Sequence, residues 1–196
     1  MKEVSSSNFG LLIAYLVPGF MVLWGMSYFS ETIRSWLSAS GTMTPTVGGF
    51  MYVTLASVAA GVTVSTVRWA VIDTIHHWTG LPQPVWDFSR LQDNVEAYNV
   101  INEIHYKYYQ FHGNALLALF FVYVARRLHL GFFTAPLGWF DTGFVLLSVI
   151  LFVGSRDTLH KYHSRVNDLL ANKSVSMAVR QCEPPAELPD ENPLSK

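Results

Sequence analysis

Charged residues and cysteine are both scarce in this sequence. Of its 196 residues, 14% are charged and one, Cys182, is a cysteine. A single cysteine excludes an internal disulfide framework and is compatible with a reducing compartment. The formal net charge is −1, which leaves no excess of basic residues for binding nucleic acid, so we expect no nucleic acid partner.

The sequence also lacks the short motifs that identify common enzyme classes. It contains no Gly-x-Ser-x-Gly, no phosphate-binding Walker loop and no Cys-x-x-Cys. Its closest histidine pairs are His76-His77 and His160-x-x-His163, too few for the several histidine boxes of membrane fatty-acid hydroxylases and desaturases. Enzymatic activity is therefore left open, with a preference for a non-enzymatic protein.

Hydrophobic residues, by contrast, are abundant and lie in long runs. They make up 51% of the chain, and the mean hydropathy is +0.26, which is too apolar for an ordinary soluble domain. We therefore predict an all-α membrane protein, an antiparallel bundle of four transmembrane helices. The predicted spans are residues 10–29, 48–67, 108–126 and 137–154.

Two of the predicted helices are too long for a bilayer. Residues 48–79 contain no proline and would form a helix about 48 Å long, whereas the hydrocarbon layer is about 30 Å thick. A second helical pattern runs from residue 89 to about 127, and an apolar stripe continues beyond the fourth span. We therefore predict helical extensions outside the membrane over residues 68–79, 89–107 and 156–172.

The distribution of basic residues predicts the orientation. Four spans place both termini on the same side, and ten of the 13 Lys and Arg residues fall on that side, against Arg34, Arg126 and Arg127. The positive-inside rule therefore places the termini and the extensions in the cytoplasm, with the protein in the inner (plasma) membrane. Residues 1–182 form one domain in this interpretation, and residues 183–196 form a disordered acidic tail.

Small residues recur along the second span. Ser57, Gly61 and Ser65 are spaced four residues apart, which lets two helices approach closely. The partner helix belongs to this chain or to a second copy, and we predict a homo-oligomer that uses this face. Near the start of the fourth span, Asp141 is expected to reach water or pair with Arg126 or Arg127.

Imidazoles and carboxylates gather at the cytoplasmic ends of three helices. Such groups on bundle helices, one or two turns apart, are the ligands that Zn, Fe or Mn require. A second functional interpretation is a pH sensor. The non-functional alternative is that these are interfacial residues that bind lipid phosphates and cap helices. The candidate metal ligands are Asp73, His76, His77, His112, Asp157 and His160, with Glu103 as a candidate general base.

Arg156 and Asp157, followed by His163, resemble the Arg-polar-x-His motif of HEPN ribonucleases. The resemblance covers eight residues of the chain. It implies that Arg156 and His163 act on an RNA 2′-OH, and both are therefore candidate catalytic residues beside Glu103.

Two functions remain open at this point. The first is a multi-pass membrane interaction or channel-type module that self-associates and engages a cytosolic protein, a ligand or anionic lipid, as in bacterial signalling, stress or defence. The alternative is a metal-dependent membrane enzyme that uses the His, Asp and Glu side chains on a lipid or other amphiphile.

Overall fold

A computed structural model describes residues 3–38, 47–81, 84–91, 94–134 and 136–182. Side chains are described for residues 13–38, 47–81, 84–89, 91, 94–134 and 136–171. Over these ranges the chain is helical and contains no strand, which confirms the predicted all-α class. The predicted acidic tail, residues 183–196, lies outside the described residues.

The first helix, α1 (Glu3–Met26), packs along two later helices, α3 (Val47–Arg68) and α6 (Lys107–Leu130). It ends three residues before the predicted end of the first span, because the chain turns at residues 27–29. Ser30 then caps the short helix α2 (Glu31–Leu37) by accepting a hydrogen bond from the backbone N–H of Ile33.

The second long helix continues beyond residue 67, over most of the residues predicted for its extension. Helix α3 continues through a π-helical turn, Trp69–Asp73, into α4 (Thr74–Trp78), which gives 32 consecutive helical residues. The helix stops at Gly80, whose φ of +95° favours glycine. The backbone N–H of Leu81 then bonds to the carbonyl of His76 at 3.0 Å, as at many helix C-termini.

The third long helix begins later than predicted. Residues Phe88–Leu91 form a single 3₁₀ turn, and α5 starts at Val95 and ends at Ile101. The Asp87 carboxylate accepts hydrogen bonds from the Ser89 N–H and hydroxyl at 3.1 and 2.6 Å, which favours a turn over a helix there. A second π-helical turn, Asn102–Tyr106, joins α5 to α6.

The last helix, α7 (Trp139–Cys182), combines the predicted fourth span and the predicted helix over residues 156–172 in one element of 44 residues. α7 packs against α6 and, near the middle of α7, against α5. The predicted start at residue 137 differs by two residues, because the Gly138 carbonyl accepts the first backbone hydrogen bond of the helix from Asp141.

The small-residue face of α3 is used within the chain. A Cβ atom on Gly61 would overlap the backbone of Tyr15 in α1, and one on Gly19 would overlap the backbone of Ser57. Ser57 is 1% exposed and Ser65 is half-buried. Ser57 and Gly61 therefore pack α3 against α1, and they are not available as the self-association surface that the sequence suggested.

Two helices are long and apolar enough to cross a membrane, Val47–Trp78 and Trp139–Ala171, and 17% of the apolar window of each is buried. Their outward faces expose large hydrophobic side chains: Phe50, Met51, Leu55 and Val62 on α3, and Leu146, Val149, Ile150 and Val153 on α7. Several polar side chains are instead buried: Ser57, Arg68, His76, Asn114 and Ser155. An apolar exterior around a partly polar interior favours membrane association.

Candidate functional site

The two π-helical turns line one cavity of about 970 Å³. Trp69, Ala70 and Asp73 come from the first turn, and Asn102 and Tyr106 come from the second. A π turn places an extra residue in the helix and is frequent at functional sites. The lining of the cavity comes from the three predicted extensions, from the loop at residues 84–88 and from Tyr109 at the start of α6, and not from the predicted spans 48–67 and 137–154.

The loop between α4 and α5 and the middle of α7 supply the remaining walls. Trp86 donates its indole N–H to Asn167 Oδ1 at 2.7 Å, which holds the loop against α7. The hydroxyls of Tyr98 in α5 and Tyr162 in α7 lie 3.1 Å apart. These two contacts fix the walls relative to each other above a buried cluster formed by Leu81, Tyr109, Leu159, Tyr162, Val166 and Leu170.

Aromatic rings dominate the lining. Trp86 meets Phe88 and Tyr162 at interplanar angles of 80°, with centroid distances of 5.9 and 5.6 Å. Phe88 meets Tyr98 at 82°. Rings that meet at right angles form adjoining walls of a box, and their faces carry negative electrostatic potential. The aromatic lining residues are Trp69, Trp86, Phe88, Tyr98, Tyr106, Tyr109 and Tyr162.

Among the described lining residues, Asp73 is the one Asp, Glu, Lys or Arg. Its Oδ1 accepts a hydrogen bond from Arg68 Nη1 at 2.8 Å and another from the Tyr109 hydroxyl. The Arg68 guanidinium also lies 4.8 Å from the centroid of the Tyr109 ring. Both hydrogen bonds use the same oxygen, and the carboxylate side chain is 20% exposed, so Oδ2 makes no hydrogen bond among the described residues.

His77 and His163 line the same cavity as Asp73. The His163 ring lies 5.7 Å from the Trp86 ring at an angle of 80°. Of the nine candidate metal or catalytic residues, the structure brings these three to one cavity. Asp73 and His77 belong to one continuous helix and His163 to α7, so two helices converge here and not the predicted three, and the third long helix brings none of its candidate residues to the cavity.

His76 and His112 lie instead in the interface of α6 and α7 with the α3–α4 helix. His76 is fully buried, with Nε2 3.0 Å from the Ser155 hydroxyl and its ring 5.3 Å from the Phe152 ring. The His112 ring lies against Gly154, where a Cβ atom would come within 3.1 Å of it. Neither Nδ1 has a hydrogen-bond partner among the described residues.

The other predicted site residues are engaged elsewhere. Asp157 accepts a hydrogen bond from Lys161 at 2.6 Å on an exposed face, and His160 is also exposed. Glu103 accepts one from Lys107 at 3.0 Å. Arg156 donates to the carbonyl and hydroxyl of Thr79, which ties α7 to the end of α4.

The six predicted metal ligands therefore occupy three separate locations. In the part of the chain that the structure describes, no group of three or more His, Cys, Asp or Glu is arranged to hold a metal ion. The metal site stays a prediction without support from this geometry. Arg156 also serves a structural contact, while His163 packs on Trp86, so the two residues of the HEPN-like motif have different surroundings.

Burial lowers the pKa of three histidines that lie outside the four stretches predicted to span, residues 10–29, 48–67, 108–126 and 137–154. Desolvation is the main cause at His76, His105 and His163. Positive charge adds to the lowering of the pKa at His76, from Arg156, and at His105, from Arg165 and Lys161. These imidazoles are therefore held in their neutral form at neutral pH.

The aromatic lining was not predicted from the sequence, since none of its seven aromatic residues is among the candidate site residues. The sequence nevertheless contained a signal for them. Tyrosines recur before residue 108, outside the predicted third span, and an aromatic belt at the membrane boundary would not extend that far. The π-helical turns leave no comparable signal, because their residues follow the same hydrophobic period as an α-helix.

Comparison with known proteins places no further constraint on the function. The chain matches no family model, no curated protein and no solved structure.

Proposed function

We propose that the chain is a multi-pass inner-membrane protein with four spans, whose helical extensions form a ligand-binding module on the cytoplasmic side. One observation carries the proposal: the two long apolar helices continue past their apolar stretches and, together with α5, enclose an aromatic cavity there. A cavity of about 970 Å³ is within the range of natural small-molecule sites, about 300–1,000 Å³.

The proposal adds two further spans, α1 and α6, to the two long apolar helices. α1 and α6 run alongside α3 and α7, and α6 contacts all three others. α6 buries polar Asn114, whose side chain donates to the Ala14 carbonyl at 3.1 Å, so a polar residue within the bundle is shielded from lipid. The basic residues favour cytoplasmic termini, as set out above.

Interaction with partners remains part of the proposal. Since Ser57 and Gly61 face α1, self-association would use the exposed apolar faces of α3 and α7. The basic side chains of α7 beyond residue 154 favour binding of anionic lipid or an acidic cytosolic protein. A role in bacterial signalling, stress or defence suits a membrane protein that reports a bound ligand to such a partner.

Topology can be tested with cysteine labelling in the full-length protein. We expect Cys182 to react with a membrane-impermeant maleimide in inverted vesicles and not in spheroplasts. Ser38, exposed after α2, provides the matched position: S38C in a C182S background should react only in spheroplasts. Labelling of both cysteines from the same side would contradict the four-span arrangement.

Access to the cavity can be tested in the same way. Ala70 lines the cavity, and Val62 is exposed on the apolar part of the same helix. In the C182S background, we expect A70C to react with the impermeant reagent in inverted vesicles and V62C to remain unlabelled from either side, because lipid covers it. An unreactive A70C in detergent-free inverted vesicles would remove the cytoplasmic cavity from the proposal.

The alternative is a metal-dependent membrane enzyme acting on an amphiphile. Asp73, His77 and His163 line one cavity and are ligand types that transition metals accept, but no three such groups among the described residues are arranged to hold a metal ion. Elemental analysis of protein purified without chelator tests this directly. A content below about a tenth of an equivalent of Zn, Fe or Mn would exclude the alternative, because catalytic metals bind tightly.

A further inference from the structure

We propose that the cavity binds an organic cation with a quaternary or alkylated ammonium group. This inference rests on the proposed function of the cavity as a ligand site and names the class of ligand. It follows from three features of the described lining: its charge, the arrangement of its rings and its size.

The charge of the lining selects against anions. No Lys or Arg is among the described lining residues, and the carboxylate of Asp73 is. Arg68 balances this carboxylate from behind, through Oδ1, with 4% of its own side chain exposed. A cation in the cavity would meet the Asp73 carboxylate and the negative ring faces, whereas a phosphate or carboxylate would meet no Lys or Arg among the described lining residues.

The arrangement of the rings matches the way proteins hold alkylated ammonium groups. Such groups bind inside boxes of aromatic faces, where cation–π attraction replaces the weak hydration of the methylated nitrogen. Trp86, Phe88, Tyr98 and Tyr162 meet in consecutive perpendicular contacts, which gives adjoining walls. Trp69 completes the lining from the first π turn, with 70% of its surface exposed in the free protein.

The size of the cavity indicates a ligand larger than the ammonium group alone. About 970 Å³ holds a headgroup together with the atoms that carry it. The same chemistry is found on a free solute such as choline and on the headgroup of a zwitterionic lipid such as phosphatidylcholine. A cavity next to the apolar stretches is reachable by both, and the experiment below separates them.

The main experiment is calorimetric titration of the full-length protein in a maltoside detergent, which carries no ammonium group of its own. The probes are choline and its uncharged isostere 3,3-dimethylbutan-1-ol. We expect choline to bind with a Kd below about 1 mM and the isostere to bind at least about tenfold more weakly, because it lacks the cation–π and Asp73 contacts. Equal affinities, or no heat with choline up to about 20 mM, would overturn the proposal.

Two tryptophans of the same helix provide matched variants. Trp69 lines the cavity and Trp78 does not, and both are largely exposed, by 70% and 86%, so neither replacement removes a core side chain. We expect W69L to weaken choline binding about tenfold, W69F to restore most of it, and W78L to leave it unchanged. Equal loss in W69L and W78L would place the bound choline outside the cavity and overturn the assignment.

The source of the cation is separated by repeating the titration in nanodiscs. If the natural occupant is a lipid headgroup, choline binding measured in phosphatidylglycerol nanodiscs should disappear in phosphatidylcholine nanodiscs, where the lipid already fills the cavity. If it is a free solute, the affinity should be the same in both. Either result supports an ammonium site, and absence of binding in both kinds of nanodisc contradicts it.

Failure of this inference can be told apart from failure of the proposed function. If A70C is labelled from the cytoplasmic side while choline does not bind, the membrane module and its cavity stand and the ligand class is wrong. If A70C is not labelled in inverted vesicles, the cavity itself is wrong, whatever the calorimetry shows.

Discussion

Two clusters of the same three residue types lie at opposite ends of α6, and they use their carboxylates differently. The cavity cluster consists of Arg68, Asp73 and Tyr109. Its arginine and tyrosine both donate to Oδ1 of Asp73, so the second oxygen is without a hydrogen bond among the described residues, and the residue lines the cavity. The cluster thus holds a charge in place without using all of its hydrogen-bonding capacity.

The hairpin cluster consists of Arg127, Asp141 and Tyr123, at the turn between α6 and α7. The Tyr123 hydroxyl donates to Asp141 Oδ1 at 3.0 Å, and the backbone N–H of Gly138 donates to Oδ2 at 2.7 Å. Arg127 Nε lies 3.9 Å from Oδ1. Both oxygens are engaged within the turn, and the carboxylate caps the start of α7.

Residue types alone therefore do not identify a ligand site. Arg, Asp and Tyr form a closed structural contact at one end and an open one at the other. The two clusters differ in whether the second carboxylate oxygen accepts a hydrogen bond and in whether the carboxylate lines a cavity. Variants made in pairs, one in each cluster, test this distinction directly, and we expect their effects to decrease in the order given below.

The largest effect is expected for Arg68→Met. It leaves the mostly buried Asp73 carboxylate without its counter-ion, which typically costs about 3–5 kcal/mol. The matched variant Arg127→Met should cost less, because Asp141 keeps the hydrogen bonds from Tyr123 and Gly138. Thermal unfolding of both proteins in the same detergent measures the difference. Equal losses would show that the two clusters are equivalent.

The next effect is expected for Tyr109→Phe. The change removes a hydrogen bond to a charged acceptor at a side chain that is 1% exposed, and such bonds contribute about 1.5–3 kcal/mol. In the hairpin cluster, Tyr123→Phe leaves the Asp141 carboxylate capped by the backbone, so a smaller decrease in Tm is expected. A Tyr123→Phe protein that is the less stable of the two would reverse the comparison.

These pairs also show what the sequence could predict. Helix length and hydrophobic period sufficed for the all-α class, for the extension over residues 68–79 and for the continuation of α7. Asp141 was expected to reach water or to pair with Arg126 or Arg127, and its Oδ1 lies 3.9 Å from Arg127 Nε. In each case the information is local, since it depends on residues within one helix or across one short turn.

The cavity could not be predicted to the same degree, because it depends on long-range contacts. Asp73 was singled out for its charge, but its partner Tyr109 lies 36 residues away. Trp86 was not among the candidate residues, and its hydrogen bond to Asn167 spans 81 residues. The rotation of each helix about its axis decides which imidazoles meet, and a single π turn changes that rotation. His76 lies in the core, whereas His77 lines the cavity.

Acid sensitivity should be concentrated at the cavity end. The pKa values of His76, His105 and His163 are lowered in the folded protein, so all stability from these groups is present above about pH 6.5. As pH falls below that value, the unfolded state takes up protons that the folded state resists, and stability decreases. We expect Tm to fall by about 3 °C or more per pH unit between about pH 6.5 and 5.

A pair of variants separates the buried imidazole from the exposed ones. His76→Gln retains a group able to bond to Ser155 and should flatten the decrease of Tm with falling pH. His160→Gln removes one exposed imidazole and serves as the control. A steeper decrease in His76→Gln than in the unmodified protein would mean that His76 is not held neutral by burial.

The smallest effect is expected at the exposed carboxylate of α7. Asp157 and Lys161 form a pair with side chains 53% and 54% exposed, and pairs of this kind contribute about 0–1 kcal/mol. Asp157→Asn should therefore leave Tm and choline binding unchanged, whereas Asp73→Asn, which leaves Arg68 without its carboxylate, should lower both. If Asp157→Asn instead abolished choline binding or a bound metal, the exposed face of α7 would belong to the site and the cavity alone would not define it.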